Sequence, residues 1–171
     1  MVRQWLGSVS WSHGDPSLLV ISAGIVLYRF HGAQLQVLLG HMGGPFWANR
    51  DAGAWSIPKG LVEKGEDPLA TARREFEEEI GTLPEGDFLA LPEIRQKGGK
   101  RVKAWALEGD FDPTVQKSNC FTVEWPPKSG KLQQFPEIDR VEWMSIDRAC
   151  SVAVEGQAEL FRELERRVWR V

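Results

Sequence analysis

The stretch GLVEKGEDPLATARREFEEEIGT, residues 60–82, decides how this chain is read. Asp67 is a good N-cap, Pro68 suits the first helical position and Gly81 the position just past the last turn, so a helix is predicted over about 68–80. Leu69, Ala72, Phe76 and Ile80 fall within about 80° of one another on a helical wheel and give that helix one buried stripe. Its charges are set against its own stability. Glu75, Glu77, Glu78 and Glu79 stand in the last turns, where the helix dipole disfavours negative charge, and Glu75 repels Glu78 and Glu79 across one side. Each such placement costs roughly 0.3 to 1 kcal/mol. One reading is a solvated acidic face eased by Arg73 and Arg74. The other is a cluster of hard oxygen ligands. Gly60 opens a loop whose carbonyls can face the carboxylates, Glu66 adds an acid at the start of the helix, and Arg74 can pin one glutamate while its neighbours stay free. With no His or Cys among them, these groups suit Mg²⁺ or Mn²⁺ far better than Zn²⁺.

Upstream, residues 18–28 and 35–40 read as two buried strands around a turn at 31–33. Residues 41–53, HMGGPFWANRDAG, form a glycine-rich loop that carries Phe46 and Trp47, and 54–57 is a short extended run ended by Pro58. Downstream, extended stretches are expected at 88–96, 101–109 and 119–125, with a basic hairpin tip KGGKR at 97–101. A loop from Pro126 precedes a strand at 141–144. Leu160, Phe161, Leu164 and Val168 then mark a helix over 157–169. Residues 1–17 read as a loosely held arm and 18–171 as one α+β domain with helices on the faces of a mixed sheet.

The chain has 171 residues, 42% of them apolar and 26% charged, enough for a core without staples. Cys120 and Cys150 are too few for a disulfide framework and lack metal-ligand spacing; both are expected to be buried thiols of a reducing cytoplasm. No run reaches the roughly 18 apolar residues that cross a bilayer, and the first residues lack an apolar signal core. A cytoplasmic protein without membrane contact is therefore expected. The net charge of −3 argues against a long nucleic acid as partner. It does not argue against a small phosphorylated substrate, because metal ions can supply the positive charge.

Gly60, five residues, Glu66, seven residues, then REFEEEIG at 74–81 match the Nudix box at every fixed position. Residues 22–149 follow that family's order of a strand pair, the box, further strands and a late EIDRVEW segment at 137–143. The chain thus resembles the Nudix hydrolases. Thr82 stands where the family has a bulky aliphatic residue, a departure that touches packing alone. The runs SAGIVLYR, GGPFWANRDAGAWSIPKG, EIRQKGGK and EWPPKSG are similar to a bacterial group of Nudix pyrophosphohydrolases. That group is distantly similar to diadenosine tetraphosphate hydrolases, which share the Pro58-Lys59-Gly60 opening.

The resemblance implies a Nudix α/β/α sandwich with a mixed sheet between helices, monomeric or homodimeric. Such an enzyme uses water and Mg²⁺, or Mn²⁺ in its place, to hydrolyse a phosphoanhydride in a nucleoside diphosphate linked to another group. Dinucleoside polyphosphates and nucleoside triphosphates lead as substrates. Carried over by position, Glu75 and Glu79 are metal ligands with Glu78 close behind, the Gly60 carbonyl is a backbone ligand and Glu66 a weaker one. Glu75 or Glu78 is the expected general base, Glu137 is either a late ligand or base or a surface acid, and Arg74 orients a glutamate. Lys59 is placed to stabilise charge on the leaving phosphate. Outside the box, Phe46 or Trp47 either stacks on a base or packs. Arg50, Lys97, Lys100, Arg101 and Lys103 either rim the site for outer phosphates or are solvated. Trp55 and Trp105 are expected in the core, and His13, His31 and His41 receive no role. The contrasting class is a non-catalytic Nudix-fold module that binds or senses a nucleotide; such modules have an eroded box, whereas every acidic position is filled here.

Replacing Glu78 or Glu79 by Gln is expected to lower kcat by orders of magnitude while the fold stays intact or becomes firmer, since a repelling charge is removed. Turnover and thermal melting of the two variants check this. A variant that unfolds readily at neutral pH without metal would make the acidic cluster structural.

Overall fold

The computed structural model describes residues 20–169, so the arm expected at 1–17 lies outside the described residues. In chain order the elements are β1 (Ile21–His31), β2 (Gln34–Met42), β3 (Trp55–Ser56), β4 (Lys59–Leu61), α1 (Pro68–Glu79), β5 (Phe88–Ala90), β6 (Ile94–Arg95), β7 (Arg101–Glu108), β8 (Cys120–Glu124), β9 (Leu132–Pro136), β10 (Ile138–Ser145), α2 (Ile146–Val152) and α3 (Ala158–Val168). One mixed sheet runs β10-β2-β1-β7-β5, with β3 added to β2, β4 to β1 and β6 to β7; β8 and β9 form a separate hairpin.

The central strand β1 forks the sheet. Its far end, from Tyr28 to His31, pairs antiparallel with β2, while Ser22, Ala23 and Gly24 at its near end pair with Leu61, Gly60 and Lys59 of β4. Along its other edge it runs parallel to β7 from Ile21 opposite Arg101 to Tyr28 opposite Glu108. A parallel pair needs a long crossover, and this one contains the box helix. Alternating β1 side chains face two cores. Ala23, Ile25 and Leu27 pack with Leu38, Ala72, Phe76, Ile80 and Leu107 under α1. Val26 joins Val37, Leu39, Trp55, Ala104, Val152, Leu160, Phe161 and Leu164 under α2 and α3. The expected sandwich of a mixed sheet between helices is thus the observed one.

The box helix starts and stops as its caps predict. The Asp67 carboxylate accepts from the Ala70 N–H at 2.9 Å, and Gly81 follows the last turn with φ +131°. Its buried face is Thr71, Ala72, Glu75 and Phe76, continued by Ile80, while Leu69 is only half-buried. Several elements depart from the expected ones. The run 88–96 divides into β5 and β6 around Pro92, which has no N–H to give a ladder. Gly60 lies in β4 and not in a loop. The seven-residue α2 is too short for a periodic signal and starts on a Ser145 hydroxyl that accepts from Arg148 N–H. The cysteines are not buried thiols: Cys120, at the foot of the separate hairpin, is exposed and Cys150 is half-buried. None of the described helices is long and apolar enough to cross a membrane.

Phe76 has no exposed surface and joins α1 to the sheet. Phe76→Ala is expected to destabilise the protein by about 3–5 kcal/mol, read as the shift of the urea unfolding midpoint. A loss under about 1 kcal/mol would mean that this core collapses around the cavity.

Candidate active site

The site is built where α1 crosses β4. Gly60 has no side chain, and the space where its Cβ would stand is filled by the carboxyl group of Glu75. Any other residue at 60 would displace that carboxylate. Glu75 is 4% exposed, so the acid is pressed between helix and strand. One turn later, Glu79 accepts from the Lys59 backbone N–H at 3.2 Å. The spacing of four thus aims both carboxylates at β4.

Arg74 gathers three acids, Glu75 among them, where one was expected. Its Nη1 donates to Glu75 Oε1 at 2.8 Å and to Glu78 Oε1 at 3.1 Å, and its Nε and Nη2 both reach Glu66 Oε1, at 3.3 and 3.1 Å. Burial works against the Arg74 charge, and Glu78, Glu75 and Glu66 more than offset it, so the group is held even more firmly protonated than usual. Glu66 also accepts from the Glu63 N–H, and that bond, with help from Thr71 and Arg74, keeps its carboxyl below the usual range.

Glu137, far along the chain, arrives through its backbone. Its N–H donates to the Asn119 carbonyl and its carbonyl accepts from the Gly43 N–H, both at 2.8 Å; the Asn119 N–H in turn donates to the Glu78 carbonyl. The Glu137 carboxylate is thereby close enough to repel Glu79. Burial, then Glu75 and Glu137, push the Glu79 carboxyl well above its ordinary value, with Lys59 opposing. The same burial lowers the Lys59 ammonium; Lys100 adds repulsion, while Glu79 and Glu75 oppose it. Lys59 therefore lies within electrostatic range of Lys100, Glu75 and Glu79, and Glu79 within range of Glu75 and Glu137.

The donors are carboxylate and backbone oxygens, the set that hard divalent cations take. Glu75, Glu79 and Glu137 could hold such an ion. Their mutual repulsion fits a cation between them, although among the described residues no three acidic or His/Cys side chains already stand in ligating geometry. The fit is therefore one of chemistry and charge.

The outlying residues divide. Lys97 pairs with Glu155 at 3.3 Å and Arg101 with Glu93 at 3.4 Å, so both are held by local acids. Lys100 faces Lys59. Lys103 and Gly60 are both register partners of Ala23, on β7 and β4, which sets them about 10 Å apart. Trp47 packs on the core beneath α2 and α3, with the Arg50 guanidinium 5.5 Å over its ring. Phe46 is 57% exposed and meets Trp125 edge-on at 5.3 Å. Trp55 is core as expected, and Trp105 is half-buried against α1. Sequence reasoning missed His41, which is wholly buried and bonded to Asp139 and to the Arg50 carbonyl. Partners brought in by folding leave no spacing signal.

The NUDIX domain profile matches residues 18–164, and the chain belongs to this family. Within it the chain is a Nudix hydrolase. An RNA pyrophosphohydrolase of Pseudoalteromonas translucida is 28% identical over 75% of this chain and 78% of that protein. A bis(5′-nucleosyl)-tetraphosphatase of the asymmetrical kind from Sus scrofa is 32% identical over 58% of this chain and 60% of that one. Among solved structures, a C. elegans Ap4A hydrolase binary complex superposes with a TM-score of 0.59 at 22% identity, covering 86% of this chain and 97% of that chain.

The raised Glu79 carboxyl has a consequence for stability. Its folded value lies above its unfolded one, so its contribution is fully present below about pH 4.3 and is lost as the pH rises through the folded value. Above the unfolded value and without metal, holding the Glu79 carboxyl in its buried place therefore costs stability. Glu79→Gln should raise the Tm of the metal-free protein at pH 7–8 by more than it does near pH 4. A pH-independent difference in melting, or a lower Tm at neutral pH, would contradict this.

Proposed function

We propose that this protein is a Mg²⁺-dependent hydrolase that splits a phosphoanhydride in a dinucleoside polyphosphate or nucleoside triphosphate. The observation that carries the reading is the convergence of Glu75, Glu79 and Glu137 with Lys59 beside the bare backbone of Gly60. Glu75, Glu79, Glu137 and the Gly60 carbonyl would hold the ion, with Glu78 and Glu66 flanking. Bound there, Mg²⁺ or Mn²⁺ supplies Lewis acidity that neutralises the diphosphate and eases ionisation of water.

The chain's own groups do the rest. Arg74 fixes the directions of Glu75, Glu78 and Glu66 through four hydrogen bonds. Of the two acids expected as base, Glu75 is committed to Gly60 and Arg74. Glu78, with its side chain 31% exposed, is the better placed to take a proton from water. Lys59 and Lys100 meet the phosphate charge that builds on the leaving side, and Lys103 extends that surface. Phe46, held edge-on by Trp125, offers an open ring for a base. The names of the relatives support a substrate with several phosphates joined to a nucleoside.

The test is a substrate panel of Ap4A, ATP, a nucleotide sugar and 5′-triphosphate RNA, followed as release of phosphate or mononucleotide. Turnover of Ap4A or ATP is expected, abolished by EDTA and restored by Mg²⁺. Tight nucleotide binding without turnover of any member would replace the hydrolase with a binding module.

A further inference from the structure

We propose that His41 is a positioning residue that bolts the loop of residues 43–53 to the segment carrying Glu137. Its ring has no exposed surface. Nδ1 lies 2.9 Å from Asp139 Oδ1 and Nε2 lies 2.7 Å from the Arg50 carbonyl oxygen. The Arg50 carbonyl can only accept, so Nε2 carries a hydrogen and donates it, while Nδ1 and the Asp139 carboxyl share the second bond. The ring thus spans a carboxyl group at one end and a backbone carbonyl at the other.

The surroundings match that arrangement. From the β10 side come Asp139 and Arg140, which bond each other at 3.3 Å, with the Arg140 guanidinium 5.0 Å over the Trp55 ring. Trp55 meets His41 edge-on at 5.0 Å and donates its indole N–H to Asp51 in the loop, and Asp51 is also gripped by Arg148 of α2. The loop is closed at its base by the Met42 N–H on the Ala54 carbonyl. It is then tied to one short segment twice, by Gly43 N–H on the Glu137 carbonyl and by Arg50 through His41 to Asp139. Between those two ties lie Phe46 and Trp47. The bolt therefore sets the distance between the loop's aromatic and basic groups and the acid that faces Glu79. Its consequence for catalysis rests on the hydrolase reading above; the bolt itself does not.

The experiment uses the full chain. In ¹⁵N NMR at pH 7, His41 Nε2 should show bound hydrogen, as its bond to the Arg50 carbonyl requires. In His41→Gln, whose amide cannot donate at both ends, backbone amides of residues 43–53 should exchange about tenfold faster, while those of α1 keep their rates. On Ap4A with Mg²⁺ the same variant should raise KM about tenfold and leave kcat within threefold. Asp139→Asn leaves an acceptor at the surface end without its charge. It should loosen the same amides by a smaller factor, and it serves as the test if His41→Gln does not fold. A ring with no hydrogen on Nε2, exchange that rises evenly over the whole domain, or a fall in kcat with KM unchanged overturns the proposal. If the unsubstituted protein does not turn over Ap4A, the hydrolase reading fails for that substrate, and ring protonation and exchange still decide the bolt.

Discussion

The contact between the Glu75 carboxylate and the bare backbone of Gly60 is the one on which the rest of the site depends. An α-helix can press a carboxylate onto a strand only where that strand has no Cβ in the way, and β4 provides the gap. The strand in turn stays beside the helix because Ser22, Ala23 and Gly24 of β1 pair with it, and Gly24 leaves room for Pro58 and Lys59 to approach. With helix and strand in this contact, the spacing of four residues brings Glu79 to the Lys59 N–H. The crossover from β1 to the parallel β7 carries this whole assembly, so the central strand of the sheet and the site share one framework.

That framework concentrates like charge, and the fold offsets it unevenly. Arg74 satisfies the outer side, where Glu66, Glu75 and Glu78 all accept from it. The inner side keeps its excess: Glu79 is crowded by Glu75 and Glu137 and is only partly answered by Lys59. An unrelieved carboxylate cluster costs stability in the metal-free state, while offering hard oxygen donors to a divalent cation. The sequence-level penalty along the helix reappears as the Glu75 repulsion that adds to burial in raising the Glu79 carboxyl.

Around this centre the walls come from segments with little regular structure. The glycine-rich loop and the β8–β9 hairpin dock through aromatic edges, Phe121 against Gly44 and Phe46 against Trp125. Glu137 sits where the hairpin returns to the sheet, bonded to Asn119 on one side and Gly43 on the other. The acid that completes the carboxylate group is therefore positioned by the loops that line the approach to it, and the geometry of one cannot shift without the other.

What the sequence alone determined is the local part. Caps at Asp67 and Gly81, the stripe of Ala72, Phe76 and Ile80, and the misplaced charges of Glu75, Glu78 and Glu79 can all be read from neighbours within a few turns, because helix geometry ties spacing to direction. The strand pair around Gly32 and the final helix were legible for the same reason. Only the tertiary structure decided that Gly60 sits in a strand under Glu75, that Arg74 gathers three acids, that Glu137 faces Glu79, and that Lys97 and Arg101 are held by Glu155 and Glu93 while Lys100 faces Lys59. It likewise decided that His41 joins Arg50 to Asp139. Those relations bring together residues distant along the chain, where no periodicity links them, and they exist only once the strands around β1 have paired.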